Sequence, residues 1–344
     1  MKGFLIRISF FLLPIVLVVV LYSWLDPFRV VGLYANYKPT DKALTVPLNQ
    51  NRVSAGTFCF YNDHMHFNAF IFGSSRSMFY EIEDWQPYLG IDSRCFHFDA
   101  SAETLEGILH KIEFLDKKQV PLKDVLLVLD ADIFRPYTLL NEHLYMEDPL
   151  VIGMSNWLSF HSAHFMAFLD RKFLRAYADY ELTGEAKPYM TQLSLLDDKP
   201  FAYDAWSNET RYEFYESQAA IGEYYTSARM EKFNPARDGM QRFSSPVIDP
   251  VEERHLKTMA SVFAKHQSRV RIVISPLYNQ IRLSNQDLLV LRNLFGEDSV
   301  FDFSGINKLT QSHTGYYERS HYRPHIAKAV LDSVYGGAAL NLRQ

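Results

Sequence analysis

Ser75, Glu318 and His321 combine residue types and spacing that suit acyl chemistry. Ser75 follows Gly73 and Ser74, which close the apolar run at 67–72. A glycine at the end of a buried strand lets the chain turn sharply. The serine after the turn then presents its hydroxyl and its backbone N–H together, but a serine nucleophile needs a base. His321, in the stretch "YYERSHYRPHIAKAV", offers one, and Glu318 precedes it by three residues. That spacing puts a carboxylate within reach of the imidazole, to fix its tautomer and stabilise the imidazolium while the serine attacks an acyl carbon. The chain order is serine, glutamate, histidine.

The elements that must position these residues are legible as alternating strand and helix patterns. Short apolar runs at 67–72, 95–98, 125–129, 270–274 and 300–303 read as buried strands. Apolar residues at helical spacing mark helices over 102–117 and 253–266. Ser284 and Asp287 have capping-box spacing and open a helix that Gly296 closes. Pro324 suits the first turn of a last helix that runs to about Tyr335 and stops at Gly336 and Gly337. Strands that are apolar throughout and alternate with helices predict a parallel, doubly wound α/β sheet. Ligands collect beyond the carboxyl ends of such strands. There stand Gly73 to Ser77 after the first strand, and Asp99 to Ser101 after the second. Asp130 and Asp132 follow the third, and the loop with Glu318 and His321 follows the fifth.

On these residues the chain resembles the SGNH (GDSL-like) hydrolase superfamily. It is most similar to the membrane-anchored bacterial branch that includes alginate O-acetylation and lipoteichoic acid D-alanylation proteins. Gly73-Ser74-Ser75 stands where the superfamily has Gly-Asp-Ser or Gly-Ser-Ser, and Glu318-Arg319-Ser320-His321 stands where it has Asp-x-x-His. The likeness covers roughly 62–135 and 268–337. It implies a three-layer, flavodoxin-like, five-stranded sheet with Ser75 as nucleophile, His321 as base and Glu318 as its orienter. It further implies a serine esterase or O-acyltransferase acting on acyl groups, acetyl foremost, of a cell-envelope polysaccharide. A membrane-bound O-acyltransferase is the implied partner, and no cofactor is expected. Gly73, Ser74, Arg76, Ser101, Asp130 and Asp132 form the expected substrate or oxyanion region. The second block, "FDASAE", lacks the glycine whose N–H helps bind the oxyanion, and the third has Asp130-Ala131-Asp132 where the family usually has an asparagine. These departures favour the alternative, a catalytically inactive glycan- or partner-binding module. Asp130 and Asp132 are expected to cap a loop or bind an arginine, and Arg76 to hold an anionic substrate or pair with one of them.

The amino terminus carries Lys2 and Arg7 and then no charged residue until Asp26. An uncharged span over 8–25 has the length of a bilayer-crossing helix, and no small-x-small cleavage pattern closes it. The expectation is an uncleaved anchor over 1–26 in a bacterial cytoplasmic membrane, with the remaining chain on the periplasmic or extracellular side by the positive-inside rule. A lead-in segment, 27–61, then precedes an α/β domain over 62–344, into which an insertion is placed at about 136–251. Within the insertion the stretch from Asn156 to Leu182 reads as a helix, and the stretch from Tyr212 to Tyr225 as a second helix or a lid. Tyr212, Phe214, Tyr215, Tyr224 and Tyr225 either stack on sugar rings or pack against the sheet. A net charge of -5 without a long basic run argues against nucleic acid. The pairs His64/His66 and His161/His164 lack fixed acidic or cysteine partners, so no metal site is expected. Cys59 and Cys95 are left open between a disulfide and two buried thiols.

Overall fold

A computed structural model describes the backbone of residues 2–38, 42–134, 142–198, 201–233, 237 and 239–336, and the side chains among these from residue 12 onward. The expected start of the insertion near Pro136 and the stop at Gly337 lie outside the described residues.

Five strands form the central sheet: β1 Ala69–Gly73, β2 Cys95–His97, β3 Asp124–Leu129, β4 Arg269–Ile274 and β5 Val300–Asp302. Their order is β2-β1-β3-β4-β5, and every pair is parallel. The register sets Phe70 beside Phe96 and Val125, and Val125 beside Val270. All five residues of β1 are buried, as a strand covered on both faces requires. Its alternation divides them: Phe70 and Phe72 belong to one core, Ala69 and Ile71 to the other.

The helices of eight or more residues are α1 Lys2–Leu25, α2 Gln50–Met65, α3 Leu105–Lys117, α4 Trp157–Phe168, α5 Arg171–Thr183, α6 Glu213–Ala220, α7 Pro250–Lys265, α8 Asn285–Phe295 and α9 Pro324–Tyr335. α2, α3, α7 and α8 cover the phenylalanine face. Phe58 of α2 contacts the rings of Phe67, Phe70, Phe96, Phe98 and Phe114 there. α9 covers the opposite face through Ile326, Ala327, Val330, Leu331 and Val334. The result is a three-layer α/β architecture. The capping expectation for α8 holds: the Ser284 hydroxyl accepts from the Asp287 N–H, and Gly296 ends the helix at φ 90.

Three segments differ from the sequence expectation. The stretch read as lead-in carries α2, whose buried face includes Asn51, Arg52, Ser54 and Thr57. Arg52 donates to the carbonyls of Arg29 and Gly32 and pairs with Asp148, so polar groups satisfied by the irregular chain before α2 hide its helical periodicity. The long helix expected from Asn156 is two helices, because Asp170 leaves the helical path and accepts from the N–H groups of Lys172 and Phe173. The stretch expected to be the anchor forms a helix, α1. Among the described residues no helix is long and apolar enough to cross a membrane. Both cysteines are free thiols, Cys59 packed on the phenylalanine core and Cys95 within the α9 core, so the disulfide alternative is not realised.

Candidate active site

The turn after β1 is built around Gly73. A Cβ there would lie 2.8 Å from the Val128 carbonyl oxygen and 2.8 Å from Ser77 Cβ, so backbone of β3 leaves room only for glycine. The Ser77 hydroxyl sits 2.6 Å from the Ser74 carbonyl oxygen and 2.8 Å from Asp99 Oδ2. Asp99 in turn lies 3.0 Å from His97 Nδ1, and His97 Nε2 lies 3.0 Å from the Tyr80 carbonyl oxygen. Both imidazole nitrogens therefore face acceptors, and a doubly protonated ring satisfies both. Burial opposes that charge, but the charge and hydrogen bond of Asp99, the charge of Glu209 and the Tyr80 carbonyl outweigh it and raise the His97 pKa. His97, Asp99 and Ser77 are buried and lock the floor of the Ser75 turn. Sequence reasoning placed Ser77 and Asp99 at the sheet edge but missed His97. The available signal was the alternation in "HFDAS", which sets His97 and Asp99 on one side of the chain.

Above this floor the structure brings Ser75, His321 and Glu318 together. Ser75 Oγ is 2.7 Å from His321 Nε2, across 246 positions of sequence. His321 Nδ1 hydrogen-bonds to Glu318 Oε1, and Glu318 Oε2 accepts the Ser320 N–H at 2.8 Å. Burial alone would raise the Glu318 pKa, but its bond to His321, the imidazole charge, the Ser320 N–H and Arg76 together hold it below the ordinary carboxylate range. An ionised carboxylate can only accept, so Nδ1 carries the ring proton and Nε2 presents its lone pair to Ser75. Glu318 and His321 lie on facing ends of a short hairpin, Tyr316–Glu318 with His321–Tyr322, immediately before α9.

The acidic third block does not point at Ser75. Asp130 Oδ1 binds Arg76 Nη1 at 2.7 Å, and Asp132 Oδ2 binds Arg76 Nη2 at 2.8 Å. Asp130 also accepts the Asp132 N–H, so both open readings of this block, loop capping and arginine binding, are realised together. Arg76 Nε donates to the Ser320 carbonyl and ties the nucleophile turn to the histidine loop. Among the described residues the Ser75 N–H has no acceptor, which leaves it free for an oxyanion. In the second block, Ala102 adopts φ 55, a left-handed conformation that favours glycine, and Ser101 beside it is half-buried. Strain of this kind, about 1–2 kcal/mol, clusters at functional sites.

The inserted aromatics pack on the hairpin. Tyr212 and Phe79 are in ring contact with each other and with Tyr317, and Phe79 also meets the His321 ring at 5.8 Å. The Tyr224 hydroxyl donates to the Tyr317 carbonyl, and the Tyr225 hydroxyl lies within hydrogen-bond distance of the Thr314 and Tyr316 carbonyl oxygens. Glu216 of α6 grips Arg323 through two contacts of 2.8 Å and accepts from the Tyr317 hydroxyl. Packing, not an open stacking platform, is what Tyr212, Tyr215, Tyr224 and Tyr225 supply, while Phe214 of α6 is half exposed.

Among the described residues, two cavities lie beside the nucleophile turn. One of about 300 Å³ reaches Arg76, Asp132, Arg319 and Ser320. A larger one of about 420 Å³ runs from Met78 and Ser101 to Leu25 and Asp26 at the end of α1, with Lys38 in its wall. Burial lowers the Lys38 pKa to about 8 against the opposing charges of Asp99 and Asp197. The described residues contain no cluster of three or more histidine, cysteine or acidic side chains arranged to hold a metal ion. Compared with known proteins, the chain matches no family model, and no curated protein is significantly similar to it.

Proposed function

We propose that the protein is a serine esterase or O-acyltransferase that moves or removes a small acyl group on a cell-envelope polysaccharide. The observation that carries this reading is the hydrogen-bonded chain from Ser75 through His321 to Glu318 at the carboxyl edge of a parallel sheet. In the first half-reaction Ser75 Oγ bonds to the acyl carbon while its proton passes to His321 Nε2, and Glu318 stabilises the imidazolium. The Ser75 N–H donates to the oxyanion, and Ser101 at the end of the second block is the candidate for a further donor. When the tetrahedral adduct collapses, the bond to the leaving group breaks and that group takes the proton from Nε2. Water or a sugar hydroxyl then attacks the acyl-enzyme, gives its proton to Nε2, and Ser75 Oγ recovers that proton as it leaves. The SGNH resemblance supports the choice of acyl chemistry and the partnership with a membrane-bound O-acyltransferase.

α1 supports attachment to a bacterial cytoplasmic membrane, with the α/β domain on its outer side. Leu13, Val16, Leu17 and Val20 of this helix are exposed, and Lys2 and Arg7 precede them. A second reading, a binding module that has lost catalysis, is favoured by the glycine-free second block, because removal of one oxyanion donor costs about 10² to 10³ in rate. Cleavage of p-nitrophenyl acetate by the purified chain and by Ser75→Ala separates the two. The esterase reading expects a rate that falls to background in the variant, and equal rates in the two proteins favour the binding module.

A further inference from the structure

We propose that α4, Trp157–Phe168, lies in the lipid–water interface of a membrane with anionic headgroups, so that the protein rests on that surface through this helix as well as through α1. The inference takes the membrane reading of α1 as its starting point and adds a second lipid contact that α1 does not supply. Composition is the first ground. From Pro149 to Leu169 the chain carries no Asp, Glu, Lys or Arg. Burial lowers the pKa of the two histidines in that stretch, His161 and His164. A helix on the surface of a water-soluble domain turns charged or strongly polar residues outward. α4 does not. Its buried side carries Phe160, His164 and Phe168. Its outward stripe is Leu158, Ser162 and Met166, continued by Leu169, at spacings of four, four and three. Leu158 is 70% exposed and Met166 65%, and Met154 and Trp157 at the start of the helix are exposed too.

What covers this stripe follows from its neighbours. Tyr22 at the end of α1 meets the rings of Phe165 and Phe168 at 5.3 Å and 5.1 Å, and Val18 and Leu25 of α1 pack on the same cluster. From Val18 to Leu25 a helix rises roughly 10 Å, the depth to which an interfacial helix sinks its apolar face. Leu17, Val20, Leu21 and Trp24 are exposed along these turns. Trp24 is 79% exposed, and tryptophan is a residue that settles at headgroup level. Charge is the second ground. Arg171 and Lys172 open α5 directly after the apolar stripe, both are exposed, and neither forms an ion pair among the described residues. Two cations at the positive end of a helix dipole weaken that helix, whereas phosphate headgroups favour them there.

The test is quenching of tryptophan fluorescence by brominated lipids in the full chain, reconstituted in vesicles of phosphatidylcholine and phosphatidylglycerol with bromine on the upper acyl carbons. Trp157→Phe removes the reporter on α4, and Trp24→Phe removes the one at the end of α1. The proposal expects Trp157→Phe to lose a quenched component. That component should shrink about twofold or more in vesicles of phosphatidylcholine alone, and likewise in the double variant Arg171→Glu, Lys172→Glu. A Trp157 component indifferent to both changes overturns the assignment to anionic lipid. Quenching that Trp157→Phe leaves unchanged overturns the contact itself, and a fall in oligomeric mass in the double variant Leu158→Glu, Met166→Glu would then show that a second copy covers the stripe. The anchor is read separately. A component lost in Trp24→Phe but not in Trp157→Phe removes the α4 contact alone, and the reverse removes the α1 anchor alone. Melting temperature and fluorophosphonate labelling of Ser75, both measured in neutral detergent and expected to match the parent, show that the variants keep their fold.

Discussion

Gly73 and His97 set what Ser75 can do, although neither touches a substrate. Replacing Gly73 by alanine places a methyl group against the Val128 carbonyl, which belongs to the central strand and cannot move aside. Gly73→Ala should destabilise the fold by roughly 1–3 kcal/mol, read from denaturant unfolding, and should slow Ser75 chemistry more than the stability loss explains. The buried His97–Asp99 pair makes a pH-dependent prediction. The His97 pKa is raised by folding, so its contribution to stability is complete below the unfolded imidazole value near about 6.5 and is lost as pH rises through the folded value. The melting temperature of the parent should therefore fall more steeply than that of His97→Gln as pH rises above about 6.5. Parallel curves would show that His97 is not charged in the fold.

At the level of elements, the sheet, α3 and α7 to α9 follow from apolar runs and caps, because each buries a stripe whose period the backbone dictates. The serine, the glutamate and the histidine were also legible, since sheet edges collect polar side chains at known places. Three things were hidden. α2 buries polar residues that bond to irregular chain, so no hydrophobic stripe marks it. Asp170 ends one helix and starts another without a glycine or proline to announce the break. Local alternation sets His97 beside Asp99, but the closing of the floor by Ser77 onto Asp99 joins two sheet-edge turns and has no local signature. The insertion is bolted to the catalytic hairpin chiefly by Glu216 on Arg323 and Tyr317. Glu216→Gln should lower the rate of Ser75 labelling while leaving the global melting temperature nearly unchanged, because the contact spans two partly exposed elements. A fall in melting temperature without a change in labelling would assign α6 a purely structural role.

For the molecule as a whole, the end of α1 is fastened to the insertion. Tyr22 meets the rings of Phe165 and Phe168, and Phe28 stacks on Phe173. The membrane reading predicts that the full chain stays with the membrane fraction after an alkaline carbonate wash. A chain beginning at residue 22 keeps those aromatic contacts and should be released. Release of the full chain by carbonate would refute the anchor. The 420 Å³ cavity between this junction and the nucleophile turn places the larger opening toward α1 and the smaller, arginine-lined one on the side of Ser320.

Covalent capture by a fluorophosphonate, with the modified residue located by peptide mass spectrometry, tests the central claim most directly. The account predicts modification at Ser75, absent in Ser75→Ala and strongly slowed in His321→Ala. Modification at another residue, or a Ser75 rate that His321→Ala leaves unchanged, would contradict it.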